Sequence, residues 1–456
     1  IDPRKTETAE IASAHHFIVP GSDAYLLLAM LQLMFERDWV NAGHLAPLLQ
    51  GVETVRELVA PFTLALAQER TGISAAVIEA MTEKLVQTPR AVFYGRMGVS
   101  VQEYGALCQW AIQLINLLAG NVDVVGGALV PNSAAGYVKP GERGAGHFNR
   151  FQSRVSGLPE FGGELPATVM AEEMLTPGEG QIRAMLTLAG NPVLSAPSGQ
   201  QLDQAFEGLD FMVSMDIYIN ETTRHADYIL PPTSALEHDH YDFAFHRLAV
   251  RNTARYNEPV FEPEAGALHD WEILNQLSQK LGDHKGIDVK MFPAPSAIVD
   301  QSLQQGPYGK HNQRGDDALD LAALREHPHG IDLGPLTPSL PQRLCNEEKN
   351  IRLVWQGIAD DIERLRIASP PQQQGKLLLI GRRHVRSNNS WMHNSHRLVK
   401  GKPRWRCLMN SKDMHEHKLA DGDDIVISSR AGEVQTEVEQ SDDVMPGVVC
   451  LPHGWG

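Results

Sequence analysis

The stretch Ala184–Pro232, AMLTLAGNPVLSAPSGQQLDQAFEGLDFMVSMDIYINETTRHADYILPP, decides the fold. Met185 to Ala189 reads as a buried strand, Gly190-Asn191-Pro192 turns the backbone, and Ser198 can cap a helix running to Phe206. Phe211 to Met215 is then a second strand that ends at Asp216. This is a βαβ unit with a carboxylate at its tip. The glycine lets the main chain approach a phosphate, the helix start offers unpaired N–H groups to an anion, and the acid after the second strand accepts donors from a ribose or a base. The pattern predicts a nucleotide ligand. Gly190-Asn191-Pro192 is not GxGxxG, however, which weakens a plain NAD reading. The denser cluster Gly141 to Gly146 follows no apolar strand and precedes no amphipathic helix, so it reads as loop.

The chain has 456 residues, 42% of them hydrophobic, enough for two or three cores. A formal charge of −16 argues against a nucleic-acid surface. The longest apolar run, Tyr25 to Phe35, falls far short of the ~20 residues that span a bilayer, so no membrane span is expected. Cys108, Cys345, Cys407 and Cys450 are scattered without a CxxC pair, which suits a reducing, cytoplasmic setting and offers no cysteine cluster for zinc or iron–sulfur. Glu237, His238, Asp239 and His240 have the composition of a metal cluster without its spacing, so no metal ligand is assigned. Ile1-Asp2-Pro3-Arg4 reads as the tip of a strand whose body is absent, and the strand Val448 to Leu451 is followed almost at once by Gly456. A piece of a longer polypeptide is expected.

Three regions follow from the pattern. Residues 1–132 read as a first α/β domain: Phe17 to Val19 as a strand, a turn and cap at Pro20 to Asp23, a helix from Ala24 to Arg37, a strand from Ala91 to Phe93 and a buried helix from Tyr104 to Leu118. Residues 133–370 open with a glycine- and proline-rich loop to about Glu164 and contain the βαβ unit. The segment Pro370 to Gln374, PPQQQ, marks a linker. Residues 375–456 carry five short strands, Leu377 to Ile380, Arg406 to Met409, Asp424 to Ser428, Glu433 to Glu439 and Val448 to Leu451, which read as a small β-barrel.

Several segments, in order, resemble the molybdopterin oxidoreductases of the dimethyl-sulfoxide reductase family, which includes formate dehydrogenases and nitrate reductases. They are IDPRKTETA (Ile1 to Ala9), IVPGSD (Ile18 to Asp23), YGRMGVS (Tyr94 to Ser100), LLAGNVDVVGG (Leu117 to Gly127), LAGNP (Leu188 to Pro192), SMD (Ser214 to Asp216), ETTRHADYILP (Glu221 to Pro231) and GRRHVRSNNSWMHN (Gly381 to Asn394). The resemblance implies two Rossmann-like α/β domains followed by a six-stranded, double-psi type β-barrel. It implies a bis(molybdopterin guanine dinucleotide) cofactor with molybdenum or tungsten, and a small-molecule substrate such as formate or nitrate. A 4Fe-4S cluster would belong to a region upstream of Ile1, and an electron-transfer subunit is a possible partner. Asp2, Arg4, Thr6, Gly21 and Asp23 would form one guanosine end, with Gly95 and Arg96 in the matching YGRMGVS segment. Gly190, Asn191, Pro192, Asp216, Thr222 and Asp227 would hold the second dinucleotide. Arg382, Ser387, Asn388 and Asn389 would run along the pterin, whose ring is full of donors and acceptors. The family's metal-anchoring cysteine, selenocysteine or serine lies upstream of the position of Ile1, and none of the four cysteines matches it, so no catalytic residue is assigned. Arg143, Arg150 and Arg154 are candidates for a positive partner of an anionic substrate.

Plainer readings stand beside these. Asp216 can simply cap the turn after its strand, Asp23 is an equally good helix cap, and Asn388-Asn389-Ser390 has the composition of a turn. Two rival functions are a cofactor-free scaffold like the large subunit of respiratory NADH dehydrogenase, and an ordinary NAD enzyme.

Overall fold

The computed structural model describes residues 1–135, 147–312, 318–368 and 376–455. Gly141 to Gly146, Arg143 and the Pro370 to Gln374 linker lie outside the described residues.

The first region is mostly helical, with one short strand among its described residues, Leu49–Gln50, paired parallel with Ile351–Arg352. Helix α1 (Asp23–Glu36) is buried along most of its length, and helix α2 (Gly105–Leu118) packs across it. Helices Leu64–Thr71 and Ala75–Gln87 complete the body. The two segments expected as strands pair with no strand among the described residues. Val19 N–H donates to Thr71 O at 3.1 Å. Phe93 gives its N–H to Asn116 Oδ1 and receives Asn116 Nδ2, both at 2.7 Å, so one amide side chain stands in for a strand partner. Apolar triplets alone make no sheet unless a strand lies alongside to pair with them. The chain returns to this body much later, because Leu353, Ile358, Ile362 and Leu365, the last three on helix α4 (Gln356–Ile367), belong to the same apolar core. Two polar groups inside it are satisfied across that junction, Tyr25 OH on Leu365 O at 3.1 Å and Trp110 Nε1 on Leu353 O at 2.7 Å.

The βαβ unit forms as read. Strand β1 (Ala184–Leu188) runs parallel to β2 (Phe211–Met215), which is parallel to the short β3 (Tyr228–Ile229), and helix α3 (Gly199–Glu207) makes the crossover. Ser198 occupies the cap position in a left-handed conformation without a side-chain cap bond, contrary to expectation. Neither is β1 fully buried. One face of the sheet packs on Leu202, Ala205 and Phe206 of α3 and on Ala171 and Met174, whereas Leu186, Leu188, Phe211 and Tyr228 on the other stay exposed. Helices cover this parallel sheet on one side only. Within the segment expected as structureless, Phe148–Gln152 and Pro159–Phe161 pair as an antiparallel hairpin.

The C-terminal region forms a five-stranded sheet from β4 (Leu378–Arg382), β5 (Cys407–Met409), β6 (Asp424–Ser428), β7 (Glu433–Gln440) and β8 (Val448–Pro452), in the order β4-β8-β5-β7-β6. The expected six-stranded closed barrel is therefore corrected: five strands are present and no closure is seen among the described residues. Residues 383–406, which could have supplied another strand, are spent on tight turns with Asn388 and Asn389 at positive φ and on the short helix His396–Val399. The first residues of the chain lie against this region, with Arg4 bridged to Val444 and Lys5 N–H donating to Asp443 O at 2.7 Å. No helix among the described residues is long and apolar enough to cross a membrane.

Candidate functional site

The carboxyl ends of β1 and β2 open into a groove whose opposite wall is the loop after β4. Ala189, Gly190, Asn191, Asp216, Tyr218 and Asn220 line one side, and Ser390, Trp391, His393 and Asn394 the other, around a cavity of about 330 Å³. An adjoining cavity of about 360 Å³ continues between Gly190, Asn191 and Ser195 and the loop residues Asn388 to Trp391. Past Leu194 a third, of about 460 Å³, reaches Trp405, Thr436 and the terminal His453-Gly454-Trp455. The end of a parallel sheet is where α/β folds place ligands, since strand ends leave a crevice there.

Three of the expected nucleotide residues, Gly190, Asn191 and Asp216, line this groove, and the others of the set are held differently. Asp216 accepts from Tyr218 N–H and from Asn220 Nδ2, both at 3.1 Å, so it does cap its turn while still facing the cavity. Asn191 is buried, donating Nδ2 to Glu221 at 2.8 Å and accepting Thr222 Oγ1 at 2.8 Å. Thr222, fully buried, also accepts Val193 N–H at 3.2 Å, so it lies beneath the groove as a brace. Pro192 opens the short helix Pro192–Ser195. Asp227 is placed elsewhere: its carboxylate accepts Met212 N–H at 2.8 Å, near the start of β2 and away from the Asp216 end. It secures the β2–β3 connection and does not line the groove.

On the loop side, Asn388 and Asn389 line the second cavity, and their left-handed backbones suit asparagine. Ser387 is buried under them, bonded to Asn389 O at 2.8 Å and to His393. His393 stacks on Trp455 with ring centroids 4.0 Å apart. Gly454 must be glycine here, since a Cβ would come within 2.2 Å of Asn389 O. Arg382 is already committed: its guanidinium donates to Cys450 O, Arg404 O and Arg406 O, at 2.6, 3.1 and 2.7 Å, tying the loop to the sheet. Sequence reasoning missed Tyr218, Trp391 and His393 as wall residues, although the last two lie in the quoted SNNSWMHN motif. His238 also lines the groove, sharing Thr233 Oγ1 with His269 at 2.5 Å each.

The first expected cluster assembles separately. Asp23 begins α1, receives Gln102 Nε2 at 3.0 Å, and has its carboxyl pushed above the usual range by burial, against the pull of the Gln102 amide. Asp2 lies within electrostatic reach of it and accepts Arg4 N–H at 2.9 Å. Thr6 caps the helix Glu7–Ile11, and Gly21 turns at positive φ in front of α1. Gly95 serves packing, since a Cβ would lie 2.5 Å from Ile112 Cδ1 and 2.7 Å from Val99 Cγ2, and the exposed Arg96 bonds Tyr94 OH at 3.0 Å. Cys108 and Cys407 are buried with thiols pushed by desolvation to about 12 and about 11, unsuited to act as ligands or nucleophiles near neutral pH. Neither remaining arginine candidate lines the groove, and each has a partner among the described residues. Arg154 pairs with Glu173 at 3.3 Å and bonds Thr176 O, and Arg150 bonds His147 at 2.7 Å above the buried Glu160.

Two observations bear on whether a dinucleotide fits. A Cβ at Gly190 would meet nothing closer than 3.7 Å, so the fold does not require glycine there, and its lack of a side chain keeps the groove floor open. Trp455 Nε1, beside the third cavity, is a buried donor without a partner among the described residues. Both suit a large polar ligand with acceptor atoms.

The groove also predicts a pH response. His384, His393 and His453 all titrate below the ordinary imidazole value, chiefly through burial, reinforced at His384 by Arg404, Arg386 and Arg382 and at His453 by Arg383, and opposed at His393 by Glu221. The unfolded chain binds these protons more readily, so stability contributed here is intact above the ordinary value of 6.5 and is lost as pH falls through the depressed folded values. Thermal midpoints should hold above about pH 7 and decline towards about pH 5, with a shallower decline in a His393→Gln/His453→Gln variant; an identical slope in that variant would reject the assignment.

Comparison with known proteins supplies the context. Residues 1–280 match the family described as Molybdopterin oxidoreductase, and residues 377–456 match the Molydopterin dinucleotide binding domain. The chain is similar to the F420-dependent formate dehydrogenase subunit alpha of Methanocaldococcus jannaschii, with 24% identity over 99% of this chain and 66% of that protein. Over 62% of this chain and 41% of the relative it is 26% identical to the assimilatory nitrate reductase catalytic subunit of Bacillus subtilis. In fold it is similar to the acetylene hydratase of Pelobacter acetylenicus, with a TM-score of 0.77 and 18% identity, covering 99% of this chain and 66% of the other. The chain thus spans 66% of the length of the first of these relatives.

Proposed function

Because the chain belongs to the molybdopterin oxidoreductase family, we propose that its groove grips one guanosine arm of a bis(molybdopterin guanine dinucleotide), and that the complete enzyme oxidises or reduces a small substrate such as formate or nitrate by two electrons. The supporting observation is the convergence of Gly190, Asn191 and Asp216 from the βαβ unit with Asn388, Asn389 and Trp391 from the terminal region around one continuous crevice. When bound, the cofactor supplies the two-electron redox chemistry. This chain's residues supply position and surroundings.

In this reading Asp216 accepts the two N–H donors on the edge of guanine, while Trp391 or Tyr218 offers a flat face to the base. Gly190 leaves main-chain room for a phosphate at the start of Pro192–Ser195. Asn388 and Asn389 present amide donors and acceptors to the pterin, with Ser387 and His393 fixing the loop from behind. Asp2 and Asp23 form the acidic end of a second guanosine site beside α1. Electrons would leave through an iron–sulfur cluster to a partner subunit.

The cofactor-free scaffold alternative finds no support, since the dinucleotide-binding match covers residues 377–456. Elemental analysis and acid hydrolysis of the complete protein test the proposal. Molybdenum or tungsten together with released GMP is the expected result, and the lack of both would reject it.

A further inference from the structure

A separate cavity of about 1280 Å³ lies elsewhere and shares no described lining residue with the groove. Its walls come from four distant stretches, around Asn132, Arg247, His311 and Thr337 to Arg343. Two guanidinium groups face it and, among the described lining residues, no carboxylate does. In a chain of formal charge −16 this is a local reversal of sign.

The two arginines are differently held. Arg343 is anchored, its Nη1 donating to Val130 O and Pro131 O at 3.3 and 2.9 Å, which leaves its other N–H donors available. Arg247 ends the short turn Phe245–Arg247, is half-buried, and its guanidinium has neither an ion pair nor a hydrogen bond to any described residue. Other arginines nearby are spoken for, Arg251 by Asp332 and Arg325 by Glu258. Asp123, behind Ser339, is turned onto the amides of Ser339 and Leu340 and onto His44. The Asn132 amide and the Thr337 hydroxyl add neutral hydrogen-bonding groups. A half-buried cation with no counter-charge among the described residues raises the local potential and favours an anion that supplies acceptors.

We infer that this cavity binds an organic anion, a molecule bearing a carboxylate or phosphate group, held by Arg247 and Arg343. The volume is far larger than formate or nitrate requires and is of the order used for whole metabolites. Carboxylate and phosphate offer the same bidentate oxygen edge to guanidinium, so the ligand's source is a matter for experiment.

Isothermal titration of the complete protein with citrate, glycerol 3-phosphate and uncharged glycerol tests this. Saturable binding of citrate or glycerol 3-phosphate but not glycerol is expected, weakening as salt is raised, and the stronger of the two identifies the anionic group. Arg247→Gln should weaken it by roughly tenfold or more, and Arg247→Lys should retain part of the affinity. Circular dichroism of Arg247→Gln should match the parent, since that side chain bonds no described residue. No saturable binding of either anion up to about 10 mM, equal binding of glycerol, or unchanged affinity in a folded Arg247→Gln protein would each overturn the inference.

Discussion

Asp216→Asn is expected to lower guanine-nucleotide affinity by roughly 10- to 100-fold while leaving the fold intact. The expectation rests on the dual position of this carboxylate. One oxygen accepts Tyr218 N–H and the other accepts Asn220 Nδ2, yet the group lines the cavity at the end of β2. Asparagine keeps one acceptor for the turn. It replaces the second oxygen with an NH₂ that opposes the donor of Asn220 and the donors of a guanine edge. A purely structural Asp216 would tolerate the change with a small loss of stability and no change in nucleotide preference. The measurement is competition between GDP and ADP for the complete protein stripped of its cofactor. Parent protein should favour GDP, and Asp216→Asn should erase most of that preference. Equal preference in both proteins would return Asp216 to the role of a turn cap.

What the sequence disclosed, and what it withheld, follows from the range of the interactions involved. Local periodicity placed β1, β2, α1, α2 and all five terminal strands within a residue or two, because each is fixed by its own alternation and by nearby turn residues. It failed at Phe17 to Val19 and Ala91 to Phe93, since being a strand depends on a partner and Asn116 took that place at Phe93.

For the site, the motif order brought Gly190, Asn191, Asp216, Asn388 and Asn389 to a common groove. It could not separate Asp216 from Asp227, which are eleven positions apart in one connection and end on different parts of β2. Nor could it see that three carbonyls absorb Arg382, or that Arg154 pairs with Glu173. A guanidinium is a good ligand for cofactor, carbonyl and carboxylate alike, and only tertiary packing decides which of them it meets.

The second large effect is expected from a residue that touches no ligand. Thr222 is fully buried beneath the groove, donating to Asn191 Oδ1 at 2.8 Å and accepting Val193 N–H at 3.2 Å. Thr222→Val keeps the shape and removes both bonds, leaving one buried acceptor and one partly buried donor unpaired. The cost should be about 2–3 kcal/mol in urea unfolding, whereas Thr222→Ser, which keeps the hydroxyl, should cost under about 1 kcal/mol. The loss should reach the groove as well as the fold. The Asn191 side chain would keep Glu221, at 2.8 Å, as its one partner among the described residues, so the turn that presents Gly190 would loosen and GDP affinity should fall without the GDP-over-ADP preference changing. That pattern separates the two variants, because a brace alters how firmly the wall stands while a recognition group alters which base it takes. A Thr222→Val protein as stable as the parent would mean that water reaches these two atoms, and the buried clasp would then carry no weight in forming the site.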